Sequence, residues 1–324
     1  MSGTDAGNGA ELGRRLRERD LGAAPAVLNL LESTTQADRE QALALLSEVS
    51  SARLGHEPPG QIVGVTGPPG AGKSTLLSAL LRAWRGAGRS VAMLAVDPSS
   101  RASGGSLLGD RARIEFDASD RDVFIRSTAA GERLGGLAWG TRAAAQALAA
   151  AFDIVVIETV GVGQAETEIA DAADAVVVVV QPGGGDVLQF LKSGIMEIPD
   201  VLAVTKADLG QVAISARRDL NAALRSLGRR DTPVVAVSSI PPPSGIEELV
   251  QAIDSRLAAI DLPARRAAAR RSAALSDFAS EHGMKALRAI GGRRAAERLL
   301  VEQDPALGEA ALEQALLARL STVT

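Results

Sequence analysis

The spacing of apolar residues divides the chain into three stretches. From Glu11 to about Ala52 they recur every three or four positions, so Leu28, Leu31, Ala42 and Leu46 can share one inward face, as in packed amphipathic helices. Thr34 or Thr35 offers an N-cap for the second helix there. His56-Glu57-Pro58-Pro59-Gly60 interrupts the pattern and marks a boundary. Beyond it, short runs of Val, Ile and Leu alternate with helical segments. Strands are expected over 62–66, 91–97, 123–126, 154–158, 175–181, 201–205 and 234–238, and helices over 73–85, 136–150, 186–196, 215–227 and 246–259. Several strands are apolar at nearly every position, which predicts a mainly parallel sheet with helices on both faces. After Pro263 the chain is rich in Ala, Arg, Leu and Glu and reads as helix, with breaks near Gly291-Gly292 and Asp304-Pro305. This tail is expected to be too short for its own core and to pack on the main domain or a second subunit.

Three domains follow from this pattern: a helical extension over 1–55, whose first ten residues are expected to be disordered, an α/β domain over 56–261, and a helical dimerisation arm over 262–324. Composition narrows the function. The net charge of −4 leaves no electrostatic footprint for nucleic acid. No apolar run approaches the roughly 20 residues needed to span a bilayer, and no basic segment precedes an apolar one at the N-terminus, so a cytoplasmic protein is expected. The chain has no cysteine, which removes disulfides, thiolate metal sites and Cys nucleophiles. Its two histidines, His56 and His282, lie far apart in sequence, which argues against metal delivery by direct protein ligation.

Gly67-Pro68-Pro69-Gly70-Ala71-Gly72-Lys73-Ser74 fits G-x-x-x-x-G-K-[ST] between a predicted strand and a predicted helix, the context that the phosphate-binding loop requires. Backbone N–H groups freed by the glycines can converge on phosphate oxygens, Lys73 can reach the β- and γ-phosphates, and Ser74 can ligate Mg²⁺. The fold class expected is therefore an α/β P-loop NTPase with N- and C-terminal helical extensions. Lysine usage points the same way. Arginine supplies nearly all the positive charge, and lysine occurs only at Lys73, Lys192, Lys206 and Lys285. A slim ammonium is retained chiefly where a planar guanidinium cannot replace it.

Thr205-Lys206-Ala207-Asp208 follows a strand, where an Asp carboxylate can accept from guanine N1–H and the exocyclic amine. Threonine stands where asparagine is commoner, keeping a hydroxyl but losing an amide. Ser238-Ser239-Ile240 can close over the base with backbone N–H groups. Asp97 and Glu158 each end a strand, on the ligand side of such a sheet, and suit a Mg²⁺ shell or orientation of the attacking water. Gly161-Val162-Gly163-Gln164 can approach the γ-phosphate, with Gln164 a candidate for positioning water. Asp110 lies in a Gly-rich candidate switch, and Arg126, Arg133, Gln189 and Lys192 are candidate sensors.

Five blocks resemble the MeaB/ArgK family, bacterial relatives of the human methylmalonic aciduria type A protein: 64–75 (through Thr75), 94–100, 104–110, 134–138 and 158–164, in family order. The resemblance implies a homodimeric GTPase, using GTP and GDP with Mg²⁺, that escorts a cobalamin-dependent acyl-CoA mutase, usually methylmalonyl-CoA mutase, gating its cofactor loading and protecting it. It places the family's essential carboxylates at Asp97, Asp110 and Glu158, and its partner-sensing switch at 182–194. There Val187, Phe190 and Ser193 depart from the family pattern. The alternatives are a P-loop kinase or a metallochaperone GTPase for another client.

Overall fold

The computed structural model describes residues 8–97, 114–129, 137, 139–159, 165–183 and 198–322, except for the side chains at 97, 129 and 165–167. The chain forms two compact units, one of Met1–Pro59 with Ile260–Thr324 and the other of Gly60–Ala259.

The first unit opens with helices α1 (Gly9–Arg17), α2 (Ala24–Glu32), α3 (Gln36–Glu48) and α4 (Ser51–Leu54). Leu28, Leu31 and Ala42 are buried as the periodicity predicts, but Leu45 rather than Leu46 completes the inward face. Thr35 caps α3, its hydroxyl accepting from Asp38 N at 3.2 Å.

The second unit holds strands β1 (Gln61–Thr66), β2 (Val91–Asp97), β3 (Val123–Ala129), β4 (Ile154–Thr159), β5 (Ala175–Val180), β6 (Val201–Val204) and β7 (Val234–Ala236). They form one sheet in the order β3-β2-β4-β1-β5-β6-β7, parallel throughout. Every residue of β4 and β5 is buried, which is why β5 reads as an unbroken apolar run and β4 as one up to Glu158. Parallel neighbours require crossovers, supplied here in part by α5 (Lys73–Gly86), α6 (Trp139–Leu148), α7 (Ala165–Ala172) and α8 (Gln211–Ser226), while α9 (Ile246–Ala259) follows the last strand. The helix expected over 186–196 lies outside the described residues. Strand β3 continues to Ala129, past its expected end at 126, because Arg126, Ser127 and Thr128 stay in register with Leu94, Ala95 and Val96. Since β4 lies between β1 and β2, the strand direction of travel reverses beside β1, and loops at the carboxyl ends of the strands open there.

The first unit resumes with α10 (Leu262–Ala289), α11 (Arg293–Val301) and α12 (Glu309–Ser321). The breaks expected at Gly291-Gly292 and Asp304-Pro305 are present, and a further one falls at Gly283 (φ 76°), where α10 loses helical geometry. The tail, expected to lack its own core, has one. Ala274, Leu275, Phe278, Leu287, Ile290, Ala296, Leu300, Leu312 and Leu316 form one buried cluster. The Gly283 break lets the two segments of α10 change direction and share this cluster with α11 and α12. Arg270 binds both carboxylate oxygens of Glu57, at 3.0 and 2.8 Å, and the Pro305 carbonyl at 2.7 Å, while Arg266 donates to the Pro58 carbonyl at 2.6 Å. These bonds tie residues 57–58 to the tail. No helix among the described residues is long and apolar enough to cross a membrane.

Candidate functional site

The phosphate-binding loop leaves β1 at Thr66 and enters α5 at Lys73. Gly67 has φ 151°, and a Cβ there would lie 2.2 Å from the Val179 carbonyl oxygen, so the loop can press this closely on β5 only with glycine. Gly72, at φ 86°, is the N-cap of α5, and no side chain caps the first turn. The positive end of this 14-residue helix is thus left for an external anion.

Lys73 is buried, and its ammonium donates to the Gly67 carbonyl at 2.8 Å and the Pro68 carbonyl at 3.2 Å. Its nitrogen is also 4.0 Å from Oε1 of buried Glu158. A buried ammonium needs such partners because desolvation penalises its charge. Glu158 reaches this position from β4, in register with Val65 on β1 and Ala95 on β2. Beside it, the Thr159 hydroxyl donates to that of Thr66 at 3.1 Å and pins the two strand ends together. Asp97 is the last residue of β2, two positions beyond Ala95 at the same carboxyl edge; its side chain lies outside the described residues. Ser74 is half-buried and Thr75 exposed on the first turn of α5. The Ser74 hydroxyl and Glu158 carboxylate are hard oxygen donors, the type Mg²⁺ takes.

The loop after β6 is bonded directly to the phosphate loop. The Thr205 hydroxyl donates to the Ala71 carbonyl at 2.7 Å, within reach also of the Val180 carbonyl at 3.2 Å. Lys206, in left-handed geometry (φ 54°), donates to the Gly70 carbonyl at 3.2 Å and to Gln181 Oε1 at 2.6 Å. Asp208 accepts from the Ser238 hydroxyl at 2.8 Å, and Ala207 N donates to the Val237 carbonyl at 3.0 Å. Ser238 is buried, Ser239 half-buried and Ile240 exposed. Three loops thus converge at one edge of the sheet: 67–72, 205–208 and 238–240.

Gln181 was missed from sequence, although a lone amide directly after six apolar residues was a signal for it. Asp110, Gln164, Lys192, Arg133, Gln189, Val187, Phe190 and Ser193 lie outside the described residues, and Arg126 is half-buried within β3.

Residues 24–289 match the family model described as methylmalonyl Co-A mutase-associated GTPase MeaB. A GTPase of Pyrococcus abyssi is 41% identical over 247 residues, covering 74% of this chain and 73% of that protein. The mitochondrial methylmalonic aciduria type A homolog of Mus musculus is 40% identical over 216 residues, 63% of this chain and 51% of its own length. A crystal structure of LAO/AO transport system kinase superposes with a TM-score of 0.67 at 26% identity, over 99% of this chain and 100% of that one.

Proposed function

This chain belongs to the MeaB/ArgK family of GTPases and is a GTP hydrolase; from that premise we propose that it couples GTP hydrolysis to the escort of a cobalamin-dependent acyl-CoA mutase. In this reading Gly67–Thr75 cradle the phosphates. Lys73 exchanges its bonds to the Gly67 and Pro68 carbonyls for β- and γ-phosphate oxygens. Ser74, with Asp97 and Glu158 nearby, would hold Mg²⁺, which would supply positive charge against the phosphates. Asp208 reads guanine by accepting from its N1–H and amine, while Thr205 and Lys206 hold the base loop against the phosphate loop. Ser238, Ser239 and Ile240 close over the base.

The observation that carries the reading is the pair of hydrogen bonds from Thr205 to Ala71 and from Lys206 to Gly70. They support reading the phosphate loop and the Asp208 carboxylate as parts of one nucleotide site. Asp110, Gln164 and Lys192 are assigned to catalysis. A partner that binds the hydrolysis-competent state preferentially accelerates hydrolysis in proportion to the population it shifts. The protein acts as a homodimer through its 262–324 arm, gates and protects the mutase, and works in the cytoplasm.

The test is steady-state hydrolysis of GTP, ATP and XTP, with and without a cobalamin-dependent acyl-CoA mutase, for the parent and Asp208→Asn. The parent should prefer GTP over ATP and be stimulated by the mutase. The variant should lose GTP and gain XTP, whose base offers a carbonyl in place of the guanine amine. Equal use of ATP and GTP by the parent would remove Asp208 as the base reader, and absence of stimulation would remove the mutase as client.

A further inference from the structure

In the helical unit, Glu281 and His282 lie just before the point where Gly283 (φ 76°, ψ 169°) breaks α10, and Glu313 lies on α12. One ligand atom from each of the three side chains lies within 4.8 Å of the other two. The His282 ring lies 5.1 Å, centroid to centroid, from that of Phe278 and is tilted 51° to it; Phe278 is one turn earlier and fully buried in the tail core. The imidazole is therefore held at the rim of a packed cluster. Half-buried Glu313 is held above the ordinary glutamate value, first by its burial and then by the carboxylates of Glu281 and Asp277 beside it. The carbonyl end of the first α10 segment adds partial negative charge beside them.

We propose that Glu281, His282 and Glu313 form a binding site for a divalent first-row transition-metal ion, with zinc as the reference. One imidazole nitrogen with carboxylate oxygens is a donor set that suits zinc or cobalt better than magnesium, which prefers oxygen alone. Metal–ligand distances of about 2.0–2.2 Å bring donor atoms to roughly 3.5 Å from one another. Asp277, one turn before Glu281, is placed to orient the site from outside. A bound ion ties the end of the first α10 segment to α12 and stabilises the tail by mass action.

The experiment uses the full chain, stripped with chelator and kept in excess Mg²⁺ to occupy the nucleotide site. Co²⁺ is added with visible absorption as the readout, and Zn²⁺ by calorimetry. One equivalent should bind and produce the intense d–d bands of a four- or five-coordinate ion. His282→Gln and Glu313→Gln should each weaken binding by about tenfold or more and lose the bands, while His56→Gln and GDP affinity stay at parent values. Zn²⁺ should raise the melting temperature of the parent and of His56→Gln, but not of the other two. Absence of stoichiometric binding to the parent, or parent-like binding in both His282→Gln and Glu313→Gln, overturns the site.

Discussion

Replacing Glu158 by Gln tests whether the buried carboxylate balances the charge of Lys73. The two groups are 4.0 Å apart, with side chains 8% and 7% exposed. At that distance and an effective dielectric of about 20, the attraction is about 4 kcal/mol. The net loss is smaller. Lys73 keeps its two loop carbonyls, and the variant no longer buries a carboxylate. A decrease of about 2 kcal/mol is expected in the nucleotide-free protein. For a unit of about 200 residues, that lowers the melting temperature by about 4–8 °C.

Nucleotide should reverse the deficit, because a phosphate supplies the anion that Lys73 has lost, and the substitution removes a like charge beside that phosphate. Saturating GDP in chelator, without Mg²⁺, should therefore raise the variant's melting temperature more than the parent's and narrow the gap between them. Mg²⁺-dependent hydrolysis should nevertheless fall, since a neutral amide is a poorer partner for the metal shell. The assay is thermal melting followed by circular dichroism, with turnover measured on the same samples. Equal melting temperatures without nucleotide, together with equal shifts on adding GDP, would refute the charge-balance argument.

Gly67→Ala places a Cβ 2.2 Å from the Val179 carbonyl oxygen and should cost about 3 kcal/mol, with loss of nucleotide binding; a parent-like denaturation midpoint would refute the close contact. Thr205→Val keeps the shape but removes the hydroxyl bond to the Ala71 carbonyl, at a cost of about 1–3 kcal/mol. Affinity for GDP, measured with a fluorescent analogue, should fall, and unchanged affinity would show that the two loops hold together without it. Burial pushes the Glu57 carboxyl up, but Arg270, with Ser51 and Arg266, outweighs that and holds it below the ordinary glutamate value of 4.5. Its stabilising contribution is thus present above pH 4.5 and lost as pH falls through the depressed folded value. Melting curves from pH 7 to pH 3 should converge for the parent and Glu57→Gln, and curves that stay parallel would exclude the linkage.

How far the sequence reveals this protein depends on the range over which each feature is determined. Strand β5 and the first four residues of β4 are buried on both faces, which leaves an apolar signature that needs no partner to be read. The polar end of β3 carries none, because its pairing is set by β2, about 30 positions earlier in the chain. The tail core is hidden for a similar reason. A single glycine between His282 and Met284 is weak punctuation, yet the direction change at Gly283 is what lets Leu287 join Phe278 in one cluster.

At the site, the contiguous phosphate loop is legible because its chemistry is local: glycine geometry, a helix start and one lysine. The bonds that join it to the base loop are not, since they link Thr205 to Ala71 and Lys206 to Gly70 and Gln181 across long stretches of chain. Lysine usage nonetheless carries a trace of them. Lys73 and Lys206 both donate to backbone carbonyls of the same loop, Lys73 to Gly67 and Pro68, Lys206 to Gly70. A tetrahedral ammonium can serve carbonyls that converge from several directions, whereas a guanidinium presents its donors in one plane and on a wider head. In a chain that otherwise uses arginine for positive charge, these two lysines serve carbonyls of the phosphate loop.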